Sequence, residues 1–244
     1  MKTDVIMGVH FCVISPEETI TLLESWLETN TNHTVVTPNP EGVMQASRNP
    51  SFLDAINNAD LSLADGIGII IASRILKLTL KERVRGYDTT MALFELLNKK
   101  RKFTAYFLGG KPGVAEQAKK RMEGKYKNLE VVGLHHGFFD KDESIIKEVN
   151  KLKPEILLVC MGMPRAEIWA RKNKSVSAKI TLCIGGTIDI MAGNVKIAPA
   201  FFRKIGLEWF YRLITQPSRA KRMLDLPKFL LSVIFRRRHE KNSH

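Results

Sequence analysis

Acidic residues are scarce: 25 Asp and Glu stand against 38 Lys and Arg in 244 residues, a formal net charge of +13. Cysteine is scarcer still. Cys12, Cys160 and Cys183 lie in apolar runs with no Cys-x-x-Cys spacing. That excludes a disulfide framework and predicts buried, reduced thiols, which suits the cytoplasm. No stretch reaches the roughly 18–20 apolar residues of a spanning helix. The longest C-terminal run, Leu226–Phe235, carries Pro227 and Lys228 and could lie on a membrane but not cross one. Residues 1–15 have Asp4 early and no long apolar stretch, so a signal peptide is not expected. Gly-x-Gly-x-x-Gly, a Walker A loop and Gly-x-Ser-x-Gly are all missing, which leaves dinucleotide-fingerprint and serine-hydrolase readings without specific support. Aromatic–basic strand motifs are missing too. The positive excess is concentrated at one end and mixed with aliphatics, so no nucleic-acid partner is expected.

What is present is concentrated at that end. Residues 201–244 hold eleven Lys/Arg against three Asp/Glu, so +8 of the +13 sits there. Trp209, Phe210, Tyr211, Phe229, Ile234 and Phe235 are interleaved with the cations. Cationic and apolar residues together suit the surface of an anionic bilayer. The chain therefore divides into an α/β domain, residues 1–195, and a helical, membrane-associating appendage, residues 196–244. Pro199 and the change in charge mark the boundary. The expected location is cytoplasmic, peripheral on the inner face of the cell membrane. Off the membrane, an exposed apolar tail could drive homo-oligomer formation.

Residues 4–14 read as an extended apolar segment. Ser15-Pro16-Glu17-Glu18 opens a helix with a capping box. Strand patterns follow at 33–37 and 60–64, with helices between, a buried helix over 67–78, and a helix capped by Asp88 that runs to about Lys100. The rhythm then becomes regular: strands at 104–108, 129–132, 155–160 and 180–184 alternate with helices, and several end in glycine. This predicts a Rossmann-like, largely parallel sheet with helices on both faces. Ligands in such sheets bind at the carboxyl ends of the strands.

Five constellations fall at or near those ends. Thr37-Pro38-Asn39-Pro40 holds a hydroxyl and an amide on a rigid turn, able to hydrogen-bond a sugar or to cap a helix. Asp65, in Ala64-Asp65-Gly66, is either a helix cap or a carboxylate placed to act as a base. Arg83 and Arg85 precede a helix and could pair with phosphate, or form a solvated loop. Gly109-Gly110 and Gly185-Gly186 would let backbone approach a phosphate. Asp140-Lys141-Asp142 reads as an acidic helix start rather than a metal ligand pair, and His135-His136 has no partner at metal spacing, so no metal site is expected.

The order of these signals is more specific than any one of them. Thr37-Pro38-Asn39, Ala64-Asp65-Gly66, Arg83–Asp88, Leu108-Gly109-Gly110 and Gly137-Phe138-Phe139 come in sequence. Gly162-Met163-Pro164-Arg165-Ala166-Glu167, Ile184-Gly185-Gly186-Thr187-Ile188-Asp189, Ala198-Pro199, Gly206-Leu207-Glu208-Trp209-Phe210-Tyr211-Arg212-Leu213 and Pro217-Ser218-Arg219 follow. From about residue 5 to 225 the chain resembles the WecG/TagA/CpsF family of bacterial glycosyltransferases. Two positions depart from the family pattern: Ala166 stands where Gln is usual, and Ile197 where Arg is usual.

The resemblance implies inverting, metal-independent transfer of N-acetylmannosamine from its UDP donor to N-acetylglucosamine on undecaprenyl diphosphate, as in wall teichoic acid linkage. No cofactor is implied, since the UDP-sugar is a substrate. It makes Asp65 the expected catalytic base. Thr37, Asn39, Arg83, Gly109, Gly110, Gly162, Glu167, Gly185, Gly186 and Asp189 are the expected substrate-binding positions. Arg212, Arg219 and Arg222 join them, since steps of 7 and 3 put the three near one helical face. They could steady the departing diphosphate or merely bind anionic lipid. A non-catalytic nucleotide-binding module that docks on membranes, and a relative using a different UDP-sugar, stay open beside this reading.

Overall fold

A computed structural model of the protein describes residues 1–215 and 225–242. The first two strands, β1 (Thr3–Ile6) and β2 (Val9–Cys12), form an antiparallel hairpin turning through Met7 and Gly8. Read from sequence alone, this is one extended segment. Gly8, at φ 86°, supplies the left-handed residue that folds it back. Helix α1 (Pro16–Trp26) begins with the expected capping box: Glu18 N–H donates to Ser15 Oγ at 3.1 Å, and Ser15 N–H to Glu18 Oε2 at 2.8 Å.

Six further strands are β3 (His33–Val36), β4 (Leu61–Ser62), β5 (Phe103–Gly109), β6 (Leu129–His135), β7 (Ile156–Cys160) and β8 (Ile180–Cys183). They form one sheet in the order β4-β3-β8-β7-β5-β6, every neighbouring pair parallel. The fold class is the expected one. The connecting helices are α2 (Pro40–Ala46), α3 (Pro50–Asn57), α4 (Ile67–Leu76), α5 (Gly86–Lys100), α6 (Val114–Lys125), α7 (Glu143–Leu152), α8 (Arg165–Lys172) and α9 (Thr187–Ala192). One expectation is corrected here. Asp88 does not cap α5, which starts two residues earlier with Arg85 at the cap position, because ion pairs to Arg85 and Arg203 hold the Asp88 carboxylate.

Central strands covered on both faces must be apolar throughout, and β7 and β8 are buried at every residue. Their side chains alternate between two cores. Ile156, Leu158 and Cys160 face the cluster that includes Phe94 and Ala118, while Leu157 and Val159 face the one that includes Val43 and Ile69. Burial pushes the Cys160 thiol up to about 12 and raises that of Cys183 well above its ordinary 9.0. Cys12 is half-buried, and all three cysteines are free.

After α9 come α10 (Ala200–Lys204), α11 (Glu208–Thr215) and α12 (Asp225–Asn242). Helix α12 lies against α2 and α4. Phe229 and Val233 are fully buried in the same cluster as Val43, Ile69 and Ile70. The outward side of α10 and α11 differs: Phe201 and Ile214 are 66% and 61% exposed. No helix among the described residues is long and apolar enough to cross a membrane.

Candidate active site

Strand order locates the crevice. From β5 the chain runs through α6 to β6 on one side, and from the adjacent β7 it runs through α8 to β8 on the other. Neighbouring strands that send the chain in opposite directions leave a gap above their carboxyl ends. Gly109-Gly110 and Gly162 line that gap. Gly109 is there for close approach: at φ 148°, a Cβ would fall 2.6 Å from the carbonyl carbon of Cys160. Gly137 N–H donates to Gly110 O at 2.8 Å, so the loops after β5, β6 and β7 are laced together. Arg165 adds a clamp, donating to the carbonyls of Gly137 and Phe139 with its guanidinium over the Phe139 ring. Among the described residues nothing lies within 4 Å of where a Cβ on Gly162 or Gly185 would sit, so both backbones border open space. Gly186 is exposed at the start of α9, with Asp189 half-buried one turn in.

A second group gathers beyond β8. Thr37 Oγ1 donates to Cys183 O at 3.3 Å, pinning the end of β3 to β8. Asn39 caps α2 through Gly42 N–H to its Oδ1 at 2.9 Å. Asp65 follows β4; its N–H donates to Pro38 O at 3.3 Å, and its Oδ2 accepts a long hydrogen bond, 3.4 Å, from Gly86 N–H. Gly86 is wedged in place. A Cβ there would fall 2.9 Å from Ile184 Cγ2 and 3.2 Å from Thr37 Oγ1. The two groups are continuous. Met163 packs on Gly42 beside Asn39 Oδ1, and Ile188 of α9 packs on Gly110. Thr37, Asn39, Asp65, Gly109, Gly110, Gly162, Gly185 and Gly186 thus share one edge of the sheet.

Two expected residues sit differently. Arg83 is only 12% exposed, with Nη2 donating to Arg203 O at 2.8 Å and lying 3.1 Å from Glu208 Oε1. Burial lowers its pKa, while the charges of Glu208 and Asp65 oppose that shift. Glu167, in the first turn of α8, is 3% exposed. As placed it offers a bound sugar almost no surface. Burial pushes its carboxyl up to about 7. Arg219 and Arg222 lie outside the described residues. Arg212 belongs to α11, but its side chain is not described.

This edge can accept a proton at Asp65, orient hydroxyls at Thr37 and Asn39, and present backbone N–H groups to an anion. A family model described as glycosyl transferase WecG/TagA/CpsF family matches residues 5–243. The chain belongs to that family. Its relatives include the N-acetylglucosaminyldiphosphoundecaprenol N-acetyl-beta-D-mannosaminyltransferases of Bacillus spizizenii and Bacillus subtilis. Each is 30% identical, over 100% and 99% of this chain respectively and 94% of its own length. The enzyme of the same name from Staphylococcus aureus is 29% identical over 93% of this chain and 91% of its own. In this WecG/TagA/CpsF glycosyltransferase the two positions expected to depart from the family pattern differ in exposure. Ala166 is fully buried, its carbonyl facing the Cys183 thiol at 3.6 Å, whereas Ile197 is exposed.

Residues that sequence reasoning passed over are Gly86, Arg203 and Glu208, and it gave Arg85 no structural partner. Arg85 and Gly86 lay inside a recognised motif, and Glu208 inside the Gly-Leu-Glu-Trp string. Nothing in their spacing showed that Glu208 and Arg203 return to Arg83 and Asp88.

Proposed function

We propose that the protein transfers N-acetylmannosamine from UDP-N-acetylmannosamine to the 4-hydroxyl of N-acetylglucosamine carried on undecaprenyl diphosphate, with inversion. This forms the β-1,4 disaccharide lipid of wall teichoic acid linkage. The names and near-full-length coverage of the relatives support the sugar and the acceptor. The observation that carries the chemistry is Asp65 at the carboxyl edge of the sheet, with Gly86 N–H on its Oδ2 and Thr37 across Gly86.

Inversion requires in-line attack. The acceptor hydroxyl oxygen forms a bond to the anomeric carbon as the bond from that carbon to the UDP β-phosphate oxygen breaks. The electron pair leaves with UDP and the hydroxyl proton passes to Asp65. A positioned base contributes about 10²–10⁴-fold. Thr37 and Asn39 orient the sugars. Charge developing on UDP meets the backbone N–H groups of the glycine loops and the arginines Arg212, Arg219 and Arg222, with no metal required. Residues 1–195 supply the base and the sugar contacts, and residues 196–244 also hold the enzyme peripherally on the inner, anionic face of the membrane. Exposed Phe201, Ile205, Phe210 and Ile214, set among cations, support that contact.

The test compares UDP-N-acetylmannosamine with UDP-N-acetylglucosamine, with and without the lipid-diphosphate acceptor. Turnover is expected only with the first donor and the acceptor present. Asp65→Asn should lower turnover at least about tenfold while keeping UDP affinity within about twofold. Near-wild-type turnover in that variant would show that the base is elsewhere.

A further inference from the structure

Five charged side chains close a ring between the loop Arg83–Asp88 and the segment Arg203–Glu208. Glu208 Oε1 lies 3.1 Å from Arg83 Nη2 and 3.2 Å from Arg85 Nε. Arg85 pairs with Asp88. Both Asp88 carboxylate oxygens accept from Arg203 Nη2, at 2.6 and 2.7 Å. Arg83 completes the circuit by donating to the backbone carbonyl of Arg203 at 2.8 Å. No member of the ring has a side chain more than 34% exposed. Networks in such a setting hold geometry better than isolated surface pairs do.

The loop that carries one half of the ring also carries Gly86, whose N–H reaches Asp65 and whose Cα is wedged between Ile184 and Thr37. The other half reaches the opposite flank of Asp65. Gly206, between Arg203 and Glu208, approaches the first residue of α4 so closely that a Cβ would fall 2.9 Å from Ile67 Cγ1. Ile67 is two residues beyond Asp65. Gly206 thus contacts the chain just beyond the proposed base, while Arg203 and Glu208 hold the loop that carries Gly86. The ring also fixes Arg83, whose guanidinium feels the Asp65 charge.

We infer that Glu208 and Arg203 are positioning residues for Asp65. This rests on the reading of Asp65 as the base. Neither residue needs to touch donor or acceptor. Through the ring they fix the loop from which the Gly86 N–H and the Arg83 charge aim the carboxylate. Helices α10 and α11 also present Phe201, Phe210 and Ile214 outward.

A double-mutant cycle on the full chain tests this, with the lipid-linked acceptor in vesicles. Glu208→Gln, which keeps volume and removes charge, should lower kcat about tenfold while UDP affinity stays near wild type. Added to Asp65→Asn, it should lower the residual turnover by less than about twofold, because a misaimed base costs nothing once the base is gone. Arg203→Lys should keep most of the activity, since one nitrogen serves both Asp88 oxygens. Arg203→Met should not. If Glu208→Gln fails to fold, Arg203→Met in the same cycle carries the test. Equal fold-losses with and without the Asp65→Asn change, or wild-type turnover in Glu208→Gln, would overturn the inference and leave the base assignment standing. Wild-type turnover in Asp65→Asn alone would remove both.

Discussion

Replacing Glu167 with glutamine should change how stability depends on pH. Glu167 is 3% exposed, and its Oε2 has no hydrogen-bond partner among the described residues. Burial raises its carboxyl from an ordinary 4.5 to about 7. Below pH 4.5 the folded and unfolded chains both hold the proton and nothing is lost. Between 4.5 and 7 the unfolded chain releases it while the folded protein keeps it, so stability falls by about 1.4 kcal/mol per pH unit. Above 7 both forms are ionised and the loss levels off near about 3 kcal/mol. Glutamine cannot ionise, so the difference in unfolding free energy between Glu167→Gln and wild type should be flat at low pH. It should then rise by about 3 kcal/mol in favour of the variant by about pH 8. For a chain of this size that is about 6–12 °C in Tm. Urea unfolding of both proteins at about pH 4.5, 5.5, 6.5 and 8 measures it, and histidine titrations cancel in the difference. The neighbouring Cys183 thiol stays neutral over this range, its pKa raised well above 9.0. Parallel stability curves for the two proteins would refute the reasoning.

Gly109→Ala should cost about 3 kcal/mol or more in urea unfolding, since its Cβ would fall 2.7 Å from the Cys160 Cβ between two buried strands. Phe229→Ala should cost about 3–5 kcal/mol if α12 is part of the core, as its complete burial requires, whereas a loss under about 1 kcal/mol would mean the helix is peripheral. Asn39→Asp should leave melting unchanged, because an aspartate oxygen caps α2 equally well. It should weaken donor or acceptor binding, because the amide donors are gone.

The parallel sheet was legible because its central strands are short and wholly apolar, and because capping chemistry at Ser15 and Asn49 marks the starts of α1 and α3. The carboxyl edge was legible because glycines and small polar residues stop each strand. What sequence did not carry was long-range pairing between charges. Arg83 read as a free cation for phosphate because its partner, Glu208, lies far along the chain. Asp88 read as a cap for the same reason: local spacing fits that role, and a cation 115 residues on, holding both carboxylate oxygens, takes it over. Glu167 read as a ligand contact because the family resemblance implies one at that position. Only the packing of α8 onto the sheet shows it covered. The hairpin at Met7-Gly8 was lost because both of its strands are apolar and no polar turn separates them.

Several groups at this edge hold the fold together and face the crevice at once. Thr37 Oγ1 ties β3 to β8, Asn39 Oδ1 caps α2, and Gly86 N–H both opens α5 and serves Asp65. The structural and chemical readings of these residues are therefore not rivals, and a loss of activity on truncation to alanine does not choose between them. Asn39→Ala removes a cap worth about 1 kcal/mol together with any sugar contact. The informative substitutions keep one atom's duty and delete the other's. Asn39→Asp keeps the capping acceptor, and Asp65→Asn keeps an acceptor for Gly86 N–H while removing the base. The ring adds a third case, because Glu208→Gln keeps the volume beside Arg83 and deletes only the charge. If the site is assembled as its contacts imply, Asn39→Asp and Asp65→Asn should leave melting nearly untouched, and all three isosteric changes should depress turnover or sugar affinity. That pattern separates a working edge from a merely structural one.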